Sequence, residues 1–549
     1  MLQYGNAYCL RSRGVRKFLT ASPQGGFILM SICAFDSPEI YNLSFQQWPN
    51  VKSIRHTRSD RIALRPKLAL CCNRSIPVPL RHIADMSVVR GIQTPPAEIP
   101  PHGTSAPIYL TLITCVAALG GLLFGYDTAV ISGAIGLLQI HFHLTPAATG
   151  WAASSALAGC VLGASLAGFT SNVFGRHRLL VLSGICFLLS AIGTAASSGF
   201  QMFILFRILG GIGIGAASVI SPLYIGESSP ARWRGRLVAV NQLAIVFGML
   251  VVYLVNYRIH LSGTELWNEI SGWRWMFGSG MVPSILLLVL LFTVPETARF
   301  LLSKGRRSEA ERVAARIGPD ALNEILFAEQ QPEVRSRHTP RILVLGISLA
   351  VLQQVTGINV FLYYAPSIFA QVTRSTNVAL LQTVILGAVN LIFTVFAMVL
   401  VDRAGRKPLL ICGSAGMAIA LLSTGWAITH ATSSLLLLIL VLAYIACFAF
   451  SVGPVTWILL SEIFPSHLRA EAMAISTAAL WIANFVVSQT FPMLSQSPAV
   501  IAHFGRGFPF YIYALFCFIE VWLVAQFIPE TRNRSLEEIT RWWSTETPR

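Results

Sequence analysis

Twelve apolar stretches, each long enough to cross a bilayer, alternate with short polar segments along most of the chain. They lie at about 107–133, 147–170, 178–198, 200–224, 235–257, 273–294, 341–370, 378–401, 408–428, 434–460, 469–494 and 508–528. A helix rises 1.5 Å per residue and the hydrocarbon core is about 30 Å thick, so roughly 20 residues make one crossing. The pattern predicts an all-α membrane protein with twelve transmembrane helices, which we number as spans 1 to 12.

Lysine and arginine concentrate in every second connection between spans. The rich connections follow the even-numbered spans and include Arg178, Arg232, Arg312, Arg403 and Lys407, whereas the other connections carry few basic residues. Short loops rich in Lys and Arg stay on the cytoplasmic side of a membrane. We therefore expect a multi-pass protein of the cell (inner) membrane with both termini cytoplasmic.

Span 7 carries a cluster of polar side chains that an apolar helix does not need. The segment 352–364 contains Gln353, Gln354, Asn359, Tyr363 and Tyr364. At 100° per residue, all but Gln354 share one face of a regular helix, and Gln354 falls about 80° outside it. Local unwinding at Gly357 would bring Gln354 into line. Such groups either bond neighbouring helices or line a polar cavity, and their number favours the cavity.

Three sites in the connections recur at a near-constant offset. The run 172–176 matches 402–406 at 230 residues, Glu227 with Arg234 matches Glu462 with Arg469 at 235, and 295–297 matches 529–531 at 234. Such an offset indicates a duplicated architecture. We predict a first six-helix bundle at 107–294, a cytoplasmic helical linker at 295–340, a second bundle at 341–530 and a cytoplasmic tail at 531–549.

The first 106 residues contain no spanning stretch and are rich in arginine. Three interpretations compete: an upstream translation artefact with the true start at Met86, a disordered cytoplasmic extension, or an Arg-rich and acid-poor targeting peptide. A start at Met86 would leave a short, proline-rich lead before span 1, which favours the first interpretation.

Composition agrees with a membrane protein, since 54% of the residues are hydrophobic and 12% are charged. The net charge of +16 arises in the connections and the N-terminal segment, without an aromatic-interleaved module for a nucleic-acid strand. Single cysteines within spans and an adjacent Cys71-Cys72 pair lack metal-ligand or redox spacing. We therefore expect no metal, no cofactor, no nucleic-acid partner and no enzyme activity; a nucleophile–base constellation is likewise missing from the sequence.

Ordered motifs cover nearly all of residues 107–540. They are the runs 120–127 (GGLLFGYD), 207–211 (RILGG), 295–299 (PETAR), 353–364, 402–407 (DRAGRK), 453–465 and 529–531 (PET). With this set the chain resembles the sugar porter family of the major facilitator superfamily. The resemblance implies two pseudo-symmetric six-helix bundles around a central sugar site that opens alternately to either side of the membrane.

The resemblance also implies which residues contact the sugar. Carried over position by position, they are Phe124, Gln242, Gln353, Gln354, Asn359, Tyr363, Asn390, Gly453, Trp457 and Trp481. Amides and hydroxyls suit the hydroxyl groups of a pyranose, and aromatic rings suit its C–H face. Met249 and Leu480 depart from the pattern of xylose-transporting members, which have glutamine at both positions, so a pentose, a hexose and an inositol all stay open.

Asp127 lies within span 1, where an isolated carboxylate is costly, and Arg207 in span 4 is its expected partner. A static buried salt bridge and a proton switch both fit the pair. In the family, the resemblance implies, an acid at this position marks proton-coupled members. The family also places a cytoplasmic gating network at Arg176, Glu227, Arg234, Asp402, Arg406, Glu462 and Arg469, although Asn172 replaces the usual acid of the first half and Val173 the usual arginine.

Together these features predict a secondary active transporter that carries a monosaccharide with a proton by alternating access. Its expected partners are the sugar, protons and membrane lipid, and we expect a monomer. The alternatives are a facilitative sugar uniporter, an inositol–proton symporter and a sugar sensor that does not transport and signals through residues 1–106.

Overall fold

The computed structural model describes 106–319, 321–322, 339–373, 375–430, 432–464 and 469–532, together with the backbone of four strands near the N-terminus. The chain divides into two compact units, residues 1–97 and 98–549, which are considered separately. Our interpretations of residues 1–106 fall mainly outside the described residues, as do most of the tail and the second part of the linker.

The first unit contains a four-stranded antiparallel sheet that the sequence analysis does not predict. Its strands are β1 (Ala7–Ser12), β2 (Val15–Ala21), β3 (Phe27–Cys33) and β4 (Asn42–Phe45), in the order β1-β2-β3-β4. The register pairs Arg11 with Arg16 at the tight β1–β2 connection and Met30 with Phe45 between β3 and β4. Each strand is thus joined to its neighbour in sequence, as in a meander.

The second unit begins with six spans. Span 1 comprises α1 (Ala106–Ala129) and α2 (Ile131–His141); span 2 is α3 (Pro146–Phe174), span 3 is α4 (Arg176–Ala195), span 4 is α5 (Phe200–Ser228) and span 5 is α6 (Ala231–Ser262). Span 6 joins α7 (Glu265–Trp267), a π-helical turn (Asn268–Gly272), α8 (Trp273–Gly278) and α9 (Met281–Leu291). Two short helices, α10 (Ala298–Ser303) and α11 (Arg307–Ile317), follow in the linker.

Six further spans repeat this order. Span 7 comprises α12 (Thr339–Val355) and α13 (Ile358–Thr373); span 8 is α14 (Thr376–Ala404), span 9 is α15 (Arg406–Thr429), and span 10 comprises α16 (Ser434–Phe450) and α17 (Val452–Ile463). Span 11 is α18 (Arg469–Ser495), which leads through α19 (Pro498–Phe504) to span 12, α20 (Phe508–Phe527).

The twelve predicted spans are confirmed, since twelve helices of the described chain have the length and hydropathy to cross a membrane. Their ends differ from the predicted ones where polar residues continue a helix beyond its apolar part. Span 1 runs to His141 rather than 133, and span 5 runs to Ser262 rather than 257. Hydropathy locates the membrane-buried part of a helix, whereas the helix itself extends into the interface.

Spans 7 and 10 are each interrupted by residues with non-helical backbone. The breaks lie at Thr356 and Gly357 in span 7 and at Ser451 in span 10. Inside a membrane, broken backbone is tolerated where it is buried in protein or lines a cavity. At the breaks in spans 7 and 10, some backbone polar atoms are therefore free of helical hydrogen bonds and can bind side chains or a ligand.

The two halves of the second unit contact each other mainly through spans 2 and 11 and through spans 5 and 8. Small residues permit close approach at the first contact, where Gly150 faces the backbone of Gln489 and Gly168 faces Ala474. Ser154 also donates a hydrogen bond to Oε1 of Gln489 at 2.7 Å. Close packing of small residues with a few interhelical hydrogen bonds is typical of contacts between membrane helices.

Candidate functional site

The break in span 7 has a backbone conformation that requires glycine. Gly357 has φ +90°, and a β-carbon added there would lie 2.6 Å from Cδ2 of Tyr513. L-residues rarely adopt this φ, and the Tyr513 ring leaves no space for a side chain. The chain therefore leaves the helix after Val355 and starts a new one at Ile358, which changes the direction of the side chains on either side.

The break brings the polar side chains of span 7 into one hydrogen-bonded network. Asn359 donates from Nδ2 to Oε1 of Gln354, and Gln354 donates from Nε2 to Oε1 of Gln353 at 3.2 Å. Gln353 donates in turn to the carbonyl oxygens of Val452 and Gly453, at 3.2 and 3.1 Å. The amides of span 7 thus bridge to the break in span 10. Unwinding at Gly357 brings Gln354 beside Asn359, as the sequence analysis expected.

Aromatic residues from the two halves contact each other. The ring centroids of Phe124 in span 1 and Trp481 in span 11 are 5.4 Å apart, with the planes tilted by 59°. Trp481 is 2% exposed, and its Nε1 is buried without a hydrogen-bond partner among the described residues. Buried indole N–H groups usually have an acceptor. The Nε1 atom is thus a donor available to a ligand hydroxyl.

Tyr363 is linked to a residue that the sequence analysis missed. Its hydroxyl accepts a hydrogen bond from Nδ2 of Asn484 at 3.4 Å, and Oδ1 of Asn484 accepts one from Ser488 at 3.0 Å. Asn484 follows Trp481 by three residues and is buried in span 11. An asparagine within an apolar span was a signal for this role, because a buried amide needs partners.

The remaining predicted sugar contacts lie outside the hydrogen-bonded network described above. Gln242 is half-buried in span 5, Asn390 is buried in span 8, and Trp457 is half-buried in span 10. Met249 and Leu480 are both buried, so the two departures from the xylose-transporting pattern put apolar side chains into the packed interior. An apolar side chain there offers a sugar no hydrogen-bond partner.

Asp127 and Arg207 form the predicted pair inside the first half. Arg207 Nη1 lies 3.0 Å from Oδ1 of Asp127, and the side chains are 1% and 17% exposed, respectively. Both Nη atoms also donate to the backbone carbonyl of Asp127 at 3.3 Å, and the guanidinium lies over the ring of Phe277. Oδ2 of Asp127 is buried without a partner in the described structure. A proton on that oxygen would remove a buried negative charge.

One membrane face of the first half carries a compact charge network. Arg176, at the start of span 3, donates to Oε1 of Glu227 at 2.9 Å, and Thr297 donates to Oε2 of the same residue at 2.6 Å. Glu296 accepts from the backbone N–H of Arg176 at 3.0 Å and so caps the positive end of span 3. Arg176 also donates to Oδ1 of Asn172 at 3.3 Å, the position where the resemblance implies an acid.

The second half repeats the main contacts of this network. Arg406 donates to Oε1 of Glu462 at 3.1 Å, and Thr531 donates to Oε2 of Glu462 at 2.6 Å. Glu530 accepts from the backbone N–H groups of Arg406 and Lys407, at 3.0 and 3.1 Å. The glutamates and threonines at 296, 297, 530 and 531 belong to the networks although the predicted gating set omits them.

The other three predicted gating residues are absent from these described contacts between side chains. Arg234 donates to the backbone carbonyls of Gly226 and Ser229, at 2.9 and 3.3 Å, and so fixes the end of span 4. The side chains of Asp402 and Arg469 lie outside the described residues. Their gating role stays a prediction.

Twelve spans in two repeated halves, with a polar and aromatic site where broken helices meet, define a membrane transporter of the major facilitator type. A family model for sugar (and other) transporters matches residues 113–543. The chain belongs to this sugar transporter family of the major facilitator superfamily.

Named relatives cover several sugars and two transport modes. The chain is 43% identical over 474 residues to the D-xylose-proton symporter of Escherichia coli K12, covering 80% of this chain and 96% of the relative. It is 40% identical to the arabinose-proton symporter of Bacillus subtilis, covering 79% and 95%, and 38% identical to the glucose facilitated diffusion protein of Zymomonas mobilis, covering 80% and 98%.

Solved structures agree with this relationship. A structure of the proton:xylose symporter bound to 6-bromo-6-deoxy-D-glucose is 42% identical, with a TM-score of 0.69, and covers 80% of this chain and 100% of that one. A partially occluded inward-open conformation of the E. coli xylose transporter gives a TM-score of 0.70 at 41% identity, covering 78% of this chain and 100% of that one.

Proposed function

We propose that this protein is a secondary active transporter that moves a monosaccharide, a pentose or hexose, together with a proton by alternating access. Two relatives are named as sugar-proton symporters, for xylose and for arabinose. The observation that carries the proposal is the buried Asp127–Arg207 pair, in which one carboxylate oxygen has no partner. The Oδ2 atom of Asp127 is the position where this pair can accept a proton.

The coupling works through the charge on Asp127. Ionised Asp127 holds Arg207, whereas protonated Asp127 releases it, so spans 1 and 4 have two electrostatic states. The sugar binds at the amides of span 7 and the rings of Phe124 and Trp481. Its binding favours one conformation of the two halves over the other. A proton gradient drives accumulation only if both ligands bias the same equilibrium.

In this proposal both termini are cytoplasmic, which the basic loops support, and transport runs into the cell. The Arg176–Glu227 and Arg406–Glu462 networks lie on that face, where they hold the loops of each half together. Sugar contacts at Gln242, Asn390 and Trp457 belong to the same proposal. The protein carries out no covalent chemistry on its substrate and works as a monomer.

Purified protein in proteoliposomes tests the coupling directly. Asp127→Asn keeps the size of the side chain but cannot change charge, so we expect uphill accumulation of D-xylose, D-glucose or L-arabinose to fall to equilibration. Sugar exchange at equal concentrations is expected to continue at a rate similar to that of the unaltered protein. The measurement is uptake of labelled sugar with and without an imposed pH gradient.

The second candidate is facilitated diffusion, which the name of the Zymomonas relative supports. In that case the unaltered protein itself would equilibrate sugar without concentrating it, and sugar entry would leave the external pH unchanged. Accumulation that survives in Asp127→Asn would refute the coupling role of Asp127. A panel of pentoses, hexoses and inositols in the same assay identifies the substrate.

A further inference from the structure

A second buried carboxyl group lies in the other half of the protein, far along the chain from Asp127. Glu520 is at the middle of span 12 and is 0% exposed. Its Oε2 accepts a hydrogen bond from the hydroxyl of Ser414 in span 9 at 3.0 Å, and its Oε1 is buried without a partner in the described structure. An ionised carboxylate in such surroundings loses its hydration and is strongly disfavoured unless it is paired.

The elements packed against span 12 bring no cation to this group within the described residues. These elements are span 9, α12 of span 7, span 11 and α19. Their described charged or titratable groups near the ends are Arg341, Arg406, Lys407, Glu471 and His503, and Cys412 faces outward from span 9. Lys407 reaches the carbonyl of Ala525 at 2.8 Å, at the end of span 12.

The titratable groups closer to Glu520 are Tyr444 of span 10 and Cys517 of its own helix. Tyr513 lies two turns earlier on the same face of span 12. A buried tyrosine and a buried cysteine are neutral at physiological pH, so neither offsets a negative charge. Ser414 alone donates to the carboxyl in the described chain.

We propose that Glu520 is a proton-binding site, separate from Asp127, that holds a proton while the second half is packed as described. The ligand is a proton rather than a metal cation, because a cation would need several oxygen ligands and this site offers one carboxyl and one hydroxyl. Protonation removes the uncompensated charge and leaves the hydrogen bond between Ser414 and Oε2 in place.

Residues next to this site contact the breaks in spans 7 and 10. A β-carbon at Gly413, next to Ser414, would lie 1.7 Å from Oγ of Ser451, so span 9 packs closely on the break in span 10. Tyr513 packs on Gly357 at the break in span 7, and Tyr444 donates to the carbonyl of Thr356 at 3.0 Å. A neutral Glu520 lets spans 9 and 12 stay packed together through the Ser414 hydrogen bond. These two spans in turn contact the breaks in spans 10 and 7.

Infrared difference spectroscopy on the full chain in proteoliposomes, titrated with pH, detects this proton. At neutral pH we expect a carbonyl stretch from a buried protonated carboxyl that shifts in heavy water. Glu520→Gln is expected to abolish this band, and the amide keeps the shape and the hydrogen bond of the neutral acid. Asp127→Asn retains the band, and Ser414→Ala shifts its frequency because a hydrogen bond to the carboxyl is lost.

Identical spectra of the unaltered protein and Glu520→Gln at neutral pH would overturn the proposal. So would a carboxylate band assigned to Glu520, or a dependence of the Glu520 signal on sodium, which would identify a metal cation. The melting temperature of Glu520→Gln, measured in the same lipid, establishes that the variant is folded. The measurement needs no sugar, so it stands or falls separately from the transport proposal.

Discussion

Among the predicted sugar contacts, Trp481 gives the strongest indication of a ligand, because the Nε1 atom of its indole lacks a hydrogen-bond partner in the described structure. Its ring contacts that of Phe124 in the other half at a tilted angle, and its Nε1 donor is buried without an acceptor in the described structure. Leaving a donor in this state costs about 1–3 kcal/mol in the free protein, a cost that a sugar hydroxyl would remove. A hydrogen bond to a bound sugar therefore explains this buried Nε1 donor better than packing in the free protein does.

Trp481→Phe tests this interpretation, because it keeps an aromatic ring and deletes the donor. We expect the affinity for the transported sugar to fall about 5-fold to 10-fold, the equivalent of about one hydrogen bond. The measurement is the dissociation constant by calorimetry on purified protein. Thermal stability should not fall by a comparable amount, since the deleted donor has no partner in the free protein.

Trp426→Phe is the matched control, because Trp426 is 51% exposed on the apolar surface of span 9. Its substitution should leave sugar affinity unchanged. Equal affinities of Trp481→Phe and the unaltered protein would show that Nε1 does not contact the sugar.

At the residue scale, sequence analysis identifies side chains whose chemistry is out of place in an apolar span. Gln353, Asn359 and Asp127 fit this description, and the structure places each in a polar contact. Asn484 and Glu520 also fit this description, but they are single polar residues outside any recognisable motif, so the sequence does not distinguish them. Which oxygen of a carboxyl lacks a partner depends on three-dimensional packing and is invisible in the sequence.

At the scale of the element, the break in span 7 determines the arrangement of the site. A continuous helix would carry Gln354 about 80° away from the face of Asn359. The break at Gly357 makes the two side chains hydrogen-bonded neighbours. Hydropathy shows one span of 31 residues here, so the sequence predicts a single membrane crossing. Gly357 is the only sign in the sequence that this crossing consists of two helices.

Gly357→Ala tests the importance of this break. Alanine at φ +90° costs about 1–2 kcal/mol in backbone strain, and its methyl group also collides with the Tyr513 ring. We expect lower thermal stability and a loss of sugar binding of about 10-fold or more, because the amide network loses its geometry. Differential scanning fluorimetry and sugar binding on the same preparation measure both effects.

Gly136→Ala is the matched control in α2, where an added β-carbon meets nothing within 4 Å. Alanine is favoured over glycine in a helix by about 1 kcal/mol, so this variant should be as stable as the unaltered protein or more so. Normal binding and stability in Gly357→Ala would mean that the break tolerates a side chain and that its conformation is not required.

The duplicated charge networks act at the scale of the whole molecule. Each network connects three segments of its own half: the start of span 3 or 9, the end of span 4 or 10, and the Pro-Glu-Thr run that follows span 6 or 12. The repeated motifs indicate these positions in the sequence. Every second connection lies on the same membrane face, so residues from those connections can meet there. These contacts hold three segments of each half together at this face.

Movement of one half against the other must break the contact of spans 2 and 11. Gln489 anchors it on one face, since its Oε1 accepts from Ser154 at 2.7 Å and its Nε2 donates to the carbonyl of Ala147 at 3.0 Å. The sequence did not single out Gln489, because an interface between halves depends on which helices face each other. Conformations in which this face opens must give up both hydrogen bonds.

Gln489→Ala should therefore shift the balance of conformations toward opening at this face. A net value of about 1 kcal/mol per hydrogen bond predicts an increase of about 5-fold to 30-fold in the ratio of open to closed protein. Spin labels at His143 and Gln496, both exposed near the ends of spans 1 and 11, report the distance across the face by pulsed electron resonance. A larger population at long distance is the expected result.

Thr490→Ala is the matched control for this experiment, because the Thr490 hydroxyl bonds the carbonyl of Val486 in its own helix at 2.7 Å. It removes a polar group from the neighbouring position without touching the contact between halves, so its distance distribution should match that of the unaltered protein. If Gln489→Ala gave the same distribution as Thr490→Ala, the two hydrogen bonds would not contribute to the closure of this face. The small residues Gly150 and Gly168 would then account for the contact by packing alone, and bulkier side chains there would be the changes that open it.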